Sequence, residues 1–366
     1  MSELEDSINE GFATIYIGIV ILIILVIAII YIIYLTRLEN SECSAMNNLY
    51  PKVDGSLHSI NSGDKNCRGN LYDYYIKTAY NACSGGSYKN DFVDVCNLKA
   101  VLKQGVRCID FEIYSVNNNP VVATSTSDSF YVKETFNSVN FSDVMTTIKN
   151  YAFANGTCPN PNDPIIIHLR FMSNNNQMYS NLAKIFKSYD SIMLGKKYSY
   201  ENNGQNLGTV PLLSLAGKII LIVDKSNNAF MENNDLLEYI NLTSNSVFMR
   251  ALSYYDVKNA PDIGELTNFN KTGMTIALPD SGPNPSNPSG VLCRAAGCQM
   301  VAMRYQYVDN FLEGEQKFFD ESSYAFVLKP ENLRYKAVTI PEATPQNPNY
   351  SYGTKNVKTD YYNFNF

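Results

Sequence analysis

The chain has 366 residues, 45% hydrophobic and 17% charged, with a net charge of −6; this apolar content excludes a disordered chain. Glu3, Glu5, Asp6 and Glu10 carry −4 of that charge and leave −2 on the rest, so the body lacks the basic face that a nucleic-acid binder needs. The only two histidines, His58 and His168, exclude most multi-histidine metal sites and argue against a two-histidine mechanism.

After an acidic tail over 1–13, Thr14 to Leu35 reads TIYIGIVILIILVIAIIYIIYL, 22 residues without a charge. About 20 apolar residues cross a hydrocarbon core of roughly 30 Å. Tyr16, Tyr31 and Tyr34 stand near the ends, where interfacial aromatics belong. The acidic leader and the long apolar run argue against a cleaved signal peptide, so the pattern predicts a retained single-pass anchor over 14–36. Arg37 and Lys52 follow it and no Lys or Arg precedes it. The positive-inside rule then puts the C-terminal part on the cytosolic side. Residues 37–70 are polar and turn-rich and read as a stalk.

From about residue 71 to 340, short apolar runs alternate with amphipathic stretches. The runs predict strands at Val106–Tyr114, Pro120–Ala123, Pro164–Phe171, Lys218–Val223, Met274–Leu278, Gln299–Tyr305 and Ala325–Lys329. Helices are expected at Phe92–Gln104, Phe141–Ala152, Met178–Tyr189, Asp235–Ile240 and Asp309–Phe318. This alternation implies a parallel α/β architecture, and its length suits an eight-stranded barrel. The Pro/Asn-rich 341–366 reads as a surface extension. The eight cysteines form no CxxC pair, which disfavours a zinc ribbon and leaves disulfides and free thiols both open.

One strand carries a chemical pattern. In Arg107-Cys-Ile-Asp-Phe-Glu-Ile-Tyr114, period two puts Ile109, Phe111 and Ile113 on one face and Cys108, Asp110 and Glu112 on the other. The apolar face is expected to meet helices and the carboxylates to point into the barrel mouth. Two buried carboxylates on one face need a cation nearby. In Ile165-Ile-Ile-His-Leu-Arg170, His168 and Arg170 share a face, so Asp110, Glu112 and Arg170 are expected to meet. Such a cluster reads as a metal or phosphate site, or as a structural ion-pair network.

At these residues the chain resembles the eukaryotic-type phosphoinositide-specific phospholipases C. The X-box resemblance (about 71–215) runs through Ile76-Lys-Thr-Ala-Tyr-Asn81, Gly105-Val-Arg-Cys-Ile-Asp-Phe-Glu112, Pro120-Val-Val, Tyr151-Ala-Phe and Pro164-Ile-Ile-Ile. The Y-box resemblance (about 244–335) includes Gly297-Cys-Gln-Met-Val-Ala302 and Ala325-Phe-Val-Leu-Lys-Pro-Glu-Asn-Leu-Arg334. It implies a distorted (β/α)8 TIM barrel of the phospholipase C-like phosphodiesterase type behind one transmembrane helix, with its site at the C-terminal mouth. An anchored, bare barrel of this kind is similar to proteins encoded by large DNA viruses. That likeness implies a viral membrane and, besides phosphoinositide or another phosphodiester, membrane or virion proteins as partners.

The family's functional residues carry over only in part. Asn81, Asp110 and Glu112 stand at calcium-ligating positions, but Arg170 replaces the remaining carboxylate. Tyr80 and Thr124 (or Ser125 if the loop is shifted) stand where the two catalytic histidines belong. The headgroup lysines correspond to Ile222 and Asp224, and the inositol-contacting Arg and Tyr to Ile276 and Leu278. Tyr titrates near pH 10 and Thr not at all, and calcium needs six to eight oxygens. The resemblance thus implies a degenerate calcium site and no working cofactor. Two readings follow. One is a membrane-anchored, phospholipase C-like pseudoenzyme acting as a structural or lipid- or protein-binding module. The other is an active, calcium-independent phosphodiesterase with a rearranged site, using His168 as its base. The substitutions favour the first.

Overall fold

A computed structural model of the chain describes residues 2–127, 131–337, 342–345, 347, 350 and 353–366, and for residues 2–13 the backbone alone. The acidic side chains of the N-terminal tail and part of the 341–366 extension lie outside the described residues. The chain divides into two compact units, Met1–Arg334 and Tyr335–Phe366. In the second, Asn356–Lys358 pairs antiparallel with Asn363–Asn365.

The first unit begins with helix α1, Ser2–Leu49. Its Thr14–Leu49 part is long and apolar enough to cross a membrane, and its most apolar stretch has no part buried. The last turns differ: Glu42, Met46 and Tyr50, four residues apart, are all buried, the spacing of one helix face. Cys43 is disulfide-bonded to Cys96 with a Cα–Cα distance of 5.9 Å, while six cysteines are free and buried. Residues 37–70 are therefore not the stalk that their composition predicts. Leu57, Ile60 and Cys67 are also buried, and the Asp54 N–H donates to the Lys103 C=O. Average polarity hid a few apolar residues spaced to meet the barrel.

The strands are β1 (Tyr74–Ala79), β2 (Cys108–Val116), β3 (Asn119–Ala123), β4 (Val139–Asn140), β5 (Ile165–Phe171), β6 (Ile219–Asp224), β7 (Leu242–Ser244), β8 (Met249–Ser253), β9 (Met274–Leu278), β10 (Met300–Met303) and β11 (Phe326–Leu328). Eight of them run in the order β7-β6-β5-β2-β1-β10-β9-β8, parallel throughout. The barrel is nearly closed: β7 and β8 end the path. β3 folds back on β2 through Asn117 and Asn118, at φ of 51° and 64°, the left-handed pair that a two-residue hairpin requires. The first helices of the outer layer are α2 (Val95–Lys103), α3 (Phe141–Ala152) and α4 (Asn176–Ser188), capped in α2 by Asp94 and in α4 by Asn175.

The expected alternation on β2 holds. Ile109, Phe111 and Ile113 pack with Leu98, Phe141 and Leu182 between strands and helices. Cys108 points inward, into a cluster with Ile166, Ile222, Ile276 and Met300 that plugs the barrel. Sequence patterning missed β1, β7 and β8 of the barrel and the two-residue β4 beside it. β7 has three residues, too few to show a period, and β8 is only half-buried along most of its length.

Candidate functional site

Above the apolar plug the inward-facing layer turns polar. Parallel pairing sets Asp110 beside His168 and Glu112 beside Arg170, and all four are buried. β1 ends at Ala79, and the next two residues carry the chain over this layer. Asn81 takes φ 43°, a conformation that Asn tolerates better than most residues.

The Arg170 guanidinium sits at the centre. Its Nε donates to Asp110 Oδ1 (3.0 Å), and its Nη2 reaches Asp110 Oδ2 (2.8 Å), Glu112 Oε1 (3.2 Å) and Asn81 Oδ1 (3.1 Å). Its flat face lies 4.8 Å from the Tyr80 ring centroid, cation–π geometry. Burial by itself would raise the Asp110 carboxyl, but Arg170 and His168 outweigh it and bring it down to about 2. Glu112 accepts further bonds from Asn81 Nδ2 (2.8 Å), the Tyr114 hydroxyl (2.7 Å) and the Ser125 N–H (2.9 Å).

A second chain of bonds leaves Asp110 sideways. His168 Nδ1 lies 2.7 Å from Asp110 Oδ1, and its Nε2 lies 2.9 Å from Ser244 Oγ. Ser244 Oγ in turn donates to Asp224 Oδ2 at 3.1 Å. A carboxylate only accepts, so Nδ1–H donates to Asp110. His168 thus links the Asp110 carboxylate to the Ser244 hydroxyl and, through it, to Asp224. Burial raises the Asp224 carboxyl, but His168, Ser226 and Ser244 lower it further, and it ends below the ordinary range.

Two cavities open at the mouth on either side of Asp224 and Ser226. One, of about 170 Å³, is lined by Tyr80, Asn245, Ser253 and Leu278; the other, of about 110 Å³, by Tyr131, Arg170 and Asn227. The structure thus brings together Asn81, Asp110, Glu112, His168, Arg170 and Tyr80, and puts Asp224 and Leu278 at the mouth. It does not bring Ile222 and Ile276 there, since both are in the apolar plug. Thr124 is turned away: its hydroxyl donates to the Tyr88 C=O at 3.2 Å, and the neighbouring Ser125 contacts Glu112 instead. Sequence reasoning missed Tyr114 and Ser244. Tyr114 follows Glu112 by two and so shares its face, a signal present in the strand. Ser244 lies on the three-residue β7 and gave none.

An inward polar layer at the C-terminal ends of a nearly closed parallel barrel is the arrangement by which TIM barrels carry their sites. Residues 68–225 match the family model of the phosphatidylinositol-specific phospholipase C, X domain, so the chain carries that domain, as the resemblance implied. Among solved structures, L. pealei PLC21 superposes with a TM-score of 0.60 at 17% identity, and S. officinalis PLC21 with 0.59 at 16%. Each comparison covers 74% of this chain and 38% of the other, so the chain spans well under half of those proteins. No curated protein matches the chain by sequence.

Proposed function

We propose that the chain is a membrane-anchored phosphatidylinositol-specific phospholipase C-like protein whose barrel has lost phosphodiester hydrolysis and works as a structural or lipid- or protein-binding module. The observation that carries this reading is Arg170, bonded at once to Asp110, Glu112 and Asn81. Calcium takes six to eight oxygens. Here the three side chains that would supply them are already committed to Arg170, His168, Tyr114 and Ser125. That donor set does not fit the ion.

The acid–base groups support the same reading. Cleaving a phosphodiester with an internal hydroxyl needs a base and an acid, each worth about 10²–10⁴-fold. Tyr80 is a weak base held against Arg170, and Thr124 neither titrates nor faces the cluster. His168 has an acid partner in Asp110, but both of its ring nitrogens are already engaged, one with Asp110 and one with Ser244. The anchor rests on the uncharged Thr14–Leu35 run, and Arg37 and Lys52 favour the barrel on the cytosolic or internal side.

The test is the purified full chain on phosphatidylinositol vesicles, with and without millimolar calcium. No release of inositol phosphates above background is expected, and no rise in melting temperature with calcium. Turnover that His168→Ala abolishes would overturn the reading and make His168 the base of a calcium-independent phosphodiesterase.

A further inference from the structure

The fold brings together three ligand-bearing side chains that no sequence motif announces. Cys43 lies on the docked last turns of α1, and Cys96 lies in the first turn of α2, 53 residues further on. Asp94 is the N-cap of α2, and its Oδ1 accepts the Cys96 N–H at 2.6 Å, which holds the carboxylate beside Cys96. The two sulfurs and an Asp94 carboxylate oxygen all lie within 4.8 Å of one another. Asp94 is exposed and both cysteines are half-buried, so ions and small thiols can reach the group.

Joined as a disulfide, the sulfurs tie α1 to the barrel. Reduced, they form a different site. A small thiol such as glutathione breaks the S–S bond: two thiols form on the chain, and two molecules of the reductant couple as their own disulfide. Two thiols and a carboxylate then stand together without a covalent link. That donor set suits a thiophilic, tetrahedral ion, above all zinc, which takes Cys sulfur at about 2.3 Å and Asp oxygen at about 2.0–2.2 Å. Two sulfurs on one such ion stand about 3.8 Å apart, which the 5.9 Å between the two Cα atoms accommodates. Asn47 Nδ2 reaches Cys43 Sγ at 3.5 Å, the kind of outer donor that steadies a ligating side chain. The other six cysteines are buried. Burial pushes the Cys83, Cys108, Cys293 and Cys298 thiols up, away from the thiolate that a metal needs.

We infer that Cys43, Asp94 and Cys96 form a zinc site in the reduced chain, with water in the fourth position, so that one ion takes over from the disulfide in pinning α1 to α2. Binding displaces one proton from each thiol. On a reducing side of a membrane, where disulfides do not persist, this is the state that holds the anchor helix on the barrel. The site itself does not depend on which side the barrel faces.

The probes are zinc alone and cobalt as its coloured substitute. The purified full chain in detergent is reduced with a phosphine in the presence of a chelator, freed of both, and titrated without oxygen. The expected result is one zinc per chain, a melting temperature that reduction lowers and zinc restores by at least half, and a thiolate-to-cobalt charge-transfer band in the near ultraviolet. The oxidised chain should show none of the metal effects. Asp94→Asn keeps a good N-cap and the disulfide. Oxidised, it should melt with the wild type; reduced, it should bind zinc about tenfold or more weakly, the scale on which metal sites answer the loss of a partner. The double variant Cys43→Ser, Cys96→Ser reports whatever the six buried thiols bind. Reduced wild type that takes up no more zinc than the double variant would overturn the inference, as would Asp94→Asn binding zinc as tightly as the wild type.

Discussion

Arg170 is the side chain on which the polar layer depends. It faces Asp110 and Glu112, both fully buried, and removing one partner of such a set leaves unpaired buried charge. Arg170→Leu should therefore cost about 3–5 kcal/mol, read by urea unfolding. Arg170→Lys should recover little of it, because an ammonium cannot reproduce the fork on Asp110. Asp110 also sets a pH dependence. Its folded value, about 2, lies below its ordinary 3.8, so its contribution is fully present above about pH 4 and is lost as pH falls towards 2. The size is roughly 2 kcal/mol. Unfolding free energies at pH 6 and pH 2.5 should show this loss in the wild type and lack it in Asp110→Asn; equal slopes would contradict it. The carboxylates and their cation were legible in the sequence, because period two and charge sign suffice to pair them. The acid partner of His168 was not, since it depends on how far β5 is offset against β2, and the period-two pattern leaves shifts by two residues open.

Between elements, length alone did not decide legibility: the six-residue β1 was missed, while the three-residue β11 was read. β2, β5 and α3 were read nearly to the residue, because each shows several turns of its period. β7 shows none. The 37–70 segment failed for another reason: its contacts are specific rather than compositional. Met46 and Tyr50 are single apolar residues in polar surroundings, and Tyr50 donates to the Tyr305 C=O at 2.7 Å. The Cys43–Cys96 link was equally hidden, as eight cysteines without a motif do not declare a pairing. It closes a separation of 53 residues, for which the chain-entropy argument gives about 4 kcal/mol as a ceiling. Cys43→Ser should lower the melting temperature by several degrees, and a reductant should then have no further effect on the variant while lowering the wild type to match. A reductant that leaves the wild-type melting temperature unchanged would show that the link contributes nothing.

At the scale of the whole molecule, membrane attachment and barrel stability separate along α1, and two truncations distinguish them. Among the described residues, α1 is the one helix long and apolar enough to cross a membrane. Removing residues 1–37 takes away the uncharged run but keeps Glu42, Cys43, Met46 and Tyr50, the residues that dock and link α1. That variant should stay in the supernatant after membranes are pelleted from a high-salt wash, and should melt close to the full chain. Removing residues 1–49 should release the barrel as well but destabilise it. Burial of Met46 is worth about 1.5–3 kcal/mol, and the disulfide goes with it. The barrel of the longer truncation should thus melt well below that of the shorter one. A 1–37 truncation that still pellets with membranes would contradict a single anchor, and equal melting of the two truncations would show that the last turns of α1 do not support the barrel.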